Sequence, residues 1–435
     1  MTNFTLLGLS LLACVGISAP MRGDVVESKY PDGSLHERWS VDANGRKHGL
    51  HETFRPDGTL TRRSTYVGGQ LNGRDEEFAE DGTTVTASGE NRAGTRTGTW
   101  TFVDPARARL KKADYVSGQV DGNVVVSVKD AIVSRQQWKK GQIERLEDVL
   151  VFPVSSQDLE EKLAKIQAVP VPPPNTKKDP LARERSDALR RLRAYRALCG
   201  VPYEGLTLTP ELNDACQAVA EVFARNGEAG TSPTQPPGFD DARFRLAQKA
   251  ALQTLWIAKS TLPGSVDDYL DDSTGDNIDV LSCRRWCLNP GMGKTGFGFV
   301  DGFSVMWAQD QSGKGLKTLD SVLYPPAGWC PVDMFGSRHA FSIIRVKGAA
   351  VKDADLRATI RPLDDEWVPG APLALDHLGI ATGPYGNGVC LVFRPKELKV
   401  VSGKRYWVEV STDGGKTAEY RYVVAFCDRV PLPTK

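Results

Sequence analysis

A period of about 24 residues runs through positions 24–150 and restricts the fold more than any other feature of the chain. Phe54-Arg55-Pro56-Asp57-Gly58 returns 24 positions later as Phe78-Ala79-Glu80-Asp81-Gly82, and Tyr30-Pro31-Asp32-Gly33 is an earlier copy. A second marker has an aromatic or polar residue, two residues, Gly, three residues and Gly. It begins at Tyr66, Asn91 and Tyr115 and weakens at Trp138. Each unit alternates polar and apolar residues and turns at Asp-Gly or Asn-Gly, dipeptides suited to two-residue hairpins. One hairpin per repeat follows, stacked along an axis so that neighbours bury each other's aromatics.

From Glu27 to about Gly141 these units resemble MORN-type repeats and their bacterial variants. The resemblance implies a solenoid scaffold with a binding surface for a protein partner. His36, His48 and His51 lie within it. Without cysteines or a second cluster they are expected to be solvated side chains on a hairpin face, not metal ligands.

A chain of 435 residues is too long for one ordinary core. Its 55 Lys+Arg balance 54 Asp+Glu, so no basic excess points to nucleic acid or to an anionic membrane surface. Leu6–Ala19 is an apolar segment of signal-peptide length, with small residues at Ser18-Ala19 and a lipoprotein-type box ending at Cys14. No later apolar run is long enough to span a bilayer. The chain is therefore expected to be secreted, periplasmic or attached to the cell envelope, with residues 1–20 as the signal. Residues 151–184 read as a linker: a charged helical stretch at Gln157–Gln167, then the polyproline-type run Val169–Pro180.

Helical spacing returns at Leu189, Leu192, Tyr195 and Leu198. Thr209-Pro210 opens a second helix that Asn226-Gly227 stops. Phe244–Lys259 and Val266–Leu270 are read as further helices. Leu281–Gly302, LSCRRWCLNPGMGKTGFGFVDG, reads as a short helix stopped at Asn289-Pro290-Gly291. A strand follows, with Phe297 and Phe299 on one face and glycines on the other. Over residues 185–322 the order of "ARNG", "GSVDDYLDD" and "RRWCLNPGMGKTGFGF" resembles the bacterial branch of the CAP superfamily (cysteine-rich secretory, antigen 5 and pathogenesis-related proteins). That resemblance implies an α-β-α sandwich around a small antiparallel sheet, with a cleft for a small-molecule, lipid or glycan ligand. It also implies two histidines and two acidic residues holding a metal. The first histidine should follow ARNG, but here Asn226-Gly227 is followed by Glu-Ala-Gly-Thr-Ser-Pro, and the place of the second is Cys283. No histidine occurs between His51 and His339 and no glutamate between Glu228 and Glu366. No metal site and no cofactor are expected; only Cys283, Cys287 and the aspartates of 267–279 offer substitutes. The candidate cleft residues are Cys283, Arg284, Arg285, Asp276 and Asn277.

Residues 323–435 hold five alternating segments between Gly- and Pro-rich loops and are expected to form an Ig-like β-sandwich. The expected fold is thus multidomain α+β: a β-hairpin repeat array, a central α-β-α sandwich and a C-terminal all-β sandwich. Cys199, Cys216, Cys283, Cys287, Cys330, Cys390 and Cys427 are candidates for disulfides in an exported protein. The expected function is binding without catalysis, with no catalytic residue assigned. The alternative is a thiol enzyme or hydrolase using Cys283, flanked by Arg284 and Arg285, or Cys330.

Overall fold

The computed structural model describes residues 23–173 and 179–428. Leu6–Ala19 and Cys14 lie outside the described residues, as does part of the proline-rich linker. The chain divides into two compact units, with the boundary between Ile143 and Glu144.

Twelve strands, from Val25–Lys29 to Val149–Leu150, form one antiparallel sheet in sequence order. The Asp-Gly turns are built as their residues require. Gly58 takes φ +84°, and Asp57 Oδ1 accepts from Thr59 N at 2.9 Å and Thr59 Oγ1 at 2.6 Å. The register places Arg38, Glu52, Arg63 and Glu76 in one cross-strand row of alternating charge. Their ion pairs close at 2.7, 3.2 and 3.9 Å. The other face carries Trp39, His51, Tyr66, Trp100, Phe102 and Tyr115. Cations lie over these rings: Lys47 Nζ is 4.8 Å from the Trp39 centroid, and the Arg96 guanidinium is 4.2 Å from that of Trp100. Trp100 is fully buried because Gly89 leaves room for it; a Cβ at 89 would sit 2.3 Å from the indole.

The second unit holds six helices among the described residues: α1 Ser156–Ala168, α2 Ala182–Leu198, α3 Pro210–Asn226, α4 Asp241–Ala251, α5 Leu262–Asp271 and α6 Ser282–Cys287. Thr209 caps α3 by accepting from Leu212 N, Pro210 starts it, and Gly227 ends it at φ +71°. Asp240 and Thr261 cap α4 and α5 in the same way. The strand Phe297–Val300 pairs with Phe303–Trp307, which pairs with Thr254–Ala258. Backbone of α3 lies directly against Gly296 and Gly298: a Cβ on Gly298 would be 2.3 Å from the carbonyl carbon of Cys216. Asn213 and Gln217, one turn apart on α3, accept from Phe297 N and Phe299 N at 2.9 and 3.1 Å. Thr207–Leu208 and Lys294–Thr295 form a short parallel pair, and the remaining strands form two four-stranded sheets. One has Ser321–Tyr324, Phe341–Arg345, Val389–Pro395 and Leu375–Ala381 in that order. The other has Gly328–Pro331, Tyr420–Cys427, Arg405–Ser411 and Arg357–Leu363.

These facts correct the expected fold class. The described residues are mostly β, 39% strand and 22% helix, and a twelve-stranded antiparallel sheet is the largest element; the chain is not organised around a central α-β-α sandwich. Two physical causes explain the difference. Each repeat hairpin leaves an edge of unpaired N–H and C=O groups that the next hairpin takes up, so the repeats merge into one sheet. Only α3 and α4 pack a smaller core of their own, with Val219 and Phe223 of α3 and Ala247 and Ala250 of α4 against Val305; the other helices of the second unit do not. Leu192 and Tyr195 of α2, Tyr269 of α5 and Trp286 of α6 share one continuous core with Tyr324, Phe341, Phe393 and Phe426 of the C-terminal strands. Thr254–Ala258, read from sequence as the end of a helix, is a strand; a β-branched and aromatic TLWIA segment suits the pleat once α4 stops at Ala251.

Candidate functional site

Beside the Thr254–Ala258 strand, α5 and α6, a cleft of about 600 Å³ opens. Asp268, Asp271 and Asp272 line it together with Trp256, Lys259, Asn277, Cys283, Trp286 and Tyr385.

The carboxylates owe their places to α5. Asp268 and Asp271 are three residues apart and share a helix face. Asp272 ends the helix at φ +36°, in the left-handed region. That turn carries its side chain to the start of α6, where Oδ2 accepts from Cys283 N at 2.7 Å and Arg284 N at 3.2 Å. Asp272 thereby caps α6, whose own N-cap residue, Leu281, has no side chain to do so. Burial pushes the Asp272 carboxyl up to about 6, against the two N–H groups and the nearby Arg284 charge that favour the anion. Asp271 Oδ1 accepts from Ser273 Oγ at 3.0 Å and faces His339 Nε2 at 3.4 Å. Burial pushes the His339 imidazole down to about 4, so it is neutral at physiological pH. Behind the ring, Tyr324 Oη lies 3.3 Å from Nδ1 and donates to Met334 O at 2.8 Å.

Cys283 reaches the cleft, and its thiol is held far from ionisation. Burial raises its pKa well above the ordinary value, and the Asp272 charge adds to this. Arg284 and Arg285, which follow it in sequence, do not offset either effect. All seven cysteines considered for bridging, Cys199, Cys216, Cys283, Cys287, Cys330, Cys390 and Cys427, are free thiols. Cys330 is fully buried and raised by that burial, and Cys199 is pushed up to about 12 by the same cause. His339 packs on Phe335 and Tyr324.

Of the five residues grouped from sequence, Cys283 and Asn277 line the cleft. Asp276 is exposed in the turn Gly275–Asp279. Arg284 and Arg285 point into the protein, where they tie separate segments together. Arg284 is fully buried and donates to Leu270 O, Asp271 O, Ala340 O and Ser342 Oγ at 2.6–3.2 Å. Arg285 donates to Val280 O, Thr382 O, Gly383 O and Gly388 O. A third buried guanidinium, Arg196, gathers Pro202 O, Cys287 O, Asn289 O and Met292 O. Carbonyls at chain turns need donors, and a planar five-donor fork supplies several at once.

Among the described residues, no group of three or more His, Cys, Asp and Glu side chains is arranged to hold a metal ion. His377 lies 3.8 Å from Asp279, outside the cleft lining. His36 stacks on Tyr30 with ring centroids 4.4 Å apart, and His51 sits among Glu37, Lys47 and Tyr66. No helix of the described residues is long and apolar enough to cross a membrane.

Sequence reasoning missed Trp256, Trp286, Tyr385, Lys259 and the roles of Asp271 and Asp272. Trp256 was obscured by the helical reading of 244–259. Its signal was the β-branched and aromatic run after Leu252-Gln253. Tyr385 comes from a loop about 100 positions beyond α6, and no local pattern marks it.

No protein-family model matches the chain. No curated protein matches it. Among solved structures, a cysteine-rich secretory protein from Staphylococcus aureus is a neighbour at 9% identity and a TM-score of 0.20, over 62% of this chain and 82% of that chain. A superposition that loose carries neither fold nor function to this chain.

Proposed function

We propose that the chain is an exported binding protein whose cleft holds a small polar ligand without covalent chemistry. One observation carries this reading: a cleft of about 600 Å³, walled by aromatic rings and carboxylates, whose one thiol among the described residues, Cys283, is kept neutral by burial and by Asp272. A thiol enzyme needs a thiolate near neutral pH, and that requires positive charge beside the sulfur. Here a carboxylate stands beside Cys283, and the two arginines next in sequence spend their donors on backbone carbonyls. Export is supported by the apolar Leu6–Ala19 segment. The repeat array adds a surface for a protein partner.

Native mass spectrometry of the protein recovered from its producing cells tests the reading. A non-covalent small molecule that leaves on denaturation, and an N-terminus beyond residue 13, are the expected results. Cys283 alkylated by iodoacetamide within seconds at pH 7, or a covalent adduct on its sulfur, would move the thiol-enzyme alternative to the front.

A further inference from the structure

The cleft is acidic in a particular way. Asp272 is only 6% exposed, lines the cleft and makes no ion pair within 4 Å among the described residues, though the Arg284 charge lies nearby. Its Oδ2 is taken by the two backbone N–H groups of α6, and the Cys283 side chain is its further partner. Asp271 uses Oδ1 for Ser273 and His339, which leaves Oδ2 open. Asp268 is exposed and lines the cleft. Against these three carboxylates the lining offers one ammonium, Lys259, at an exposed position. The walls are Trp256, Trp286 and Tyr385.

A buried carboxylate whose charge is only partly offset is costly unless a partner arrives. Aromatic rings attract cations through their electron-rich faces and cover the apolar stem that carries them. Rings have no lone pairs for a hard metal ion, which takes six or more oxygen ligands. We infer that the cleft takes an organic cation, an ammonium or guanidinium group on an apolar stem, with the charge at Asp271 and Asp272 and the stem between the rings. This rests on the binding function proposed above and names its ligand class. The same chemistry is offered by a free amine and by a basic side chain of a peptide.

The test is calorimetric titration of the full chain at pH 7.5 with N-acetyl-arginine methylamide and N-acetyl-lysine methylamide, and with cadaverine for the free-amine source. N-acetyl-citrulline methylamide serves as the uncharged isostere and maltose as a neutral sugar. Saturable binding of at least one cationic probe is expected, at least tenfold tighter than citrulline. Asp271→Asn should weaken it at least tenfold and Asp268→Asn, at an exposed position where folding is not at stake, by a smaller factor. Equal binding of arginine and citrulline probes, or no effect of either substitution, overturns the cation assignment. Binding of maltose alone, lost on Trp286→Ala, overturns the assignment while leaving the binding function standing. No binding of any probe, with no co-purifying molecule in the native spectrum, overturns both.

Discussion

Asp272→Asn isolates the cost of holding a carboxylate where the fold puts it. The folded carboxyl titrates at about 6 instead of the ordinary 3.8. Between those values the native state holds a proton that the unfolded chain has lost, so the Asp272 contribution to stability falls as pH rises. It is fully present below about 3.8 and gone above about 6. The difference corresponds to about 3 kcal/mol. Asparagine keeps an oxygen that can accept from Cys283 N and Arg284 N, and it has no charge to bury. Urea unfolding followed by tryptophan emission, run on wild type and variant at pH 4 and pH 7.5, gives the comparison. The variant's stability relative to wild type should improve by about 2 kcal/mol from the lower pH to the higher, since part of the contribution is already lost at pH 4. Taking the difference cancels every other titrating group, including Asp268, Asp271, His339 and Lys259 around the cleft. A relative stability that is the same at both pH values would refute the argument that burial governs this carboxyl.

Three further outcomes follow from the structure. Arg284→Ala should destabilise the second unit by about 3–5 kcal/mol, because four buried acceptors lose their donor; Arg284→Lys should recover little, since an ammonium cannot span them, and urea titration measures both. Gly298→Ala should cost about 3 kcal/mol or prevent folding, because its Cβ meets α3 backbone at 2.3 Å, and circular dichroism melts report it. With Ellman's reagent at pH 7.5, the seven thiols should react slowly in the folded protein and completely in denaturant; a rapid native reaction at Cys283 would contradict its placement.

Much of the local structure was legible in the residues. The Asp-Gly repeat announced the hairpins because those dipeptides tolerate backbone that others resist. Thr209-Pro210 and Gly227 marked both ends of α3 for similarly local reasons. The alternation of GFGF placed the glycines on one face of a strand, the face on which α3 backbone lies. Such signals act within a few residues, so one sequence suffices to read them.

What the residues alone determined, then, is where the chain turns, caps and alternates, and that it lacks the histidines and glutamates of the resembled cleft. Only the tertiary structure decided that the hairpins join into one sheet, since edge pairing depends on which edges meet. It also decided the site. Arg284 and Arg285 look reactive beside Cys283 in sequence, yet their heads find carbonyls from segments up to about 100 positions away. Asp272 looks like one of many solvated acids, yet the left-handed end of α5 turns it into a buried cap for α6. Charge and burial are properties of the surroundings, and the surroundings of a side chain are set by residues distant in the chain.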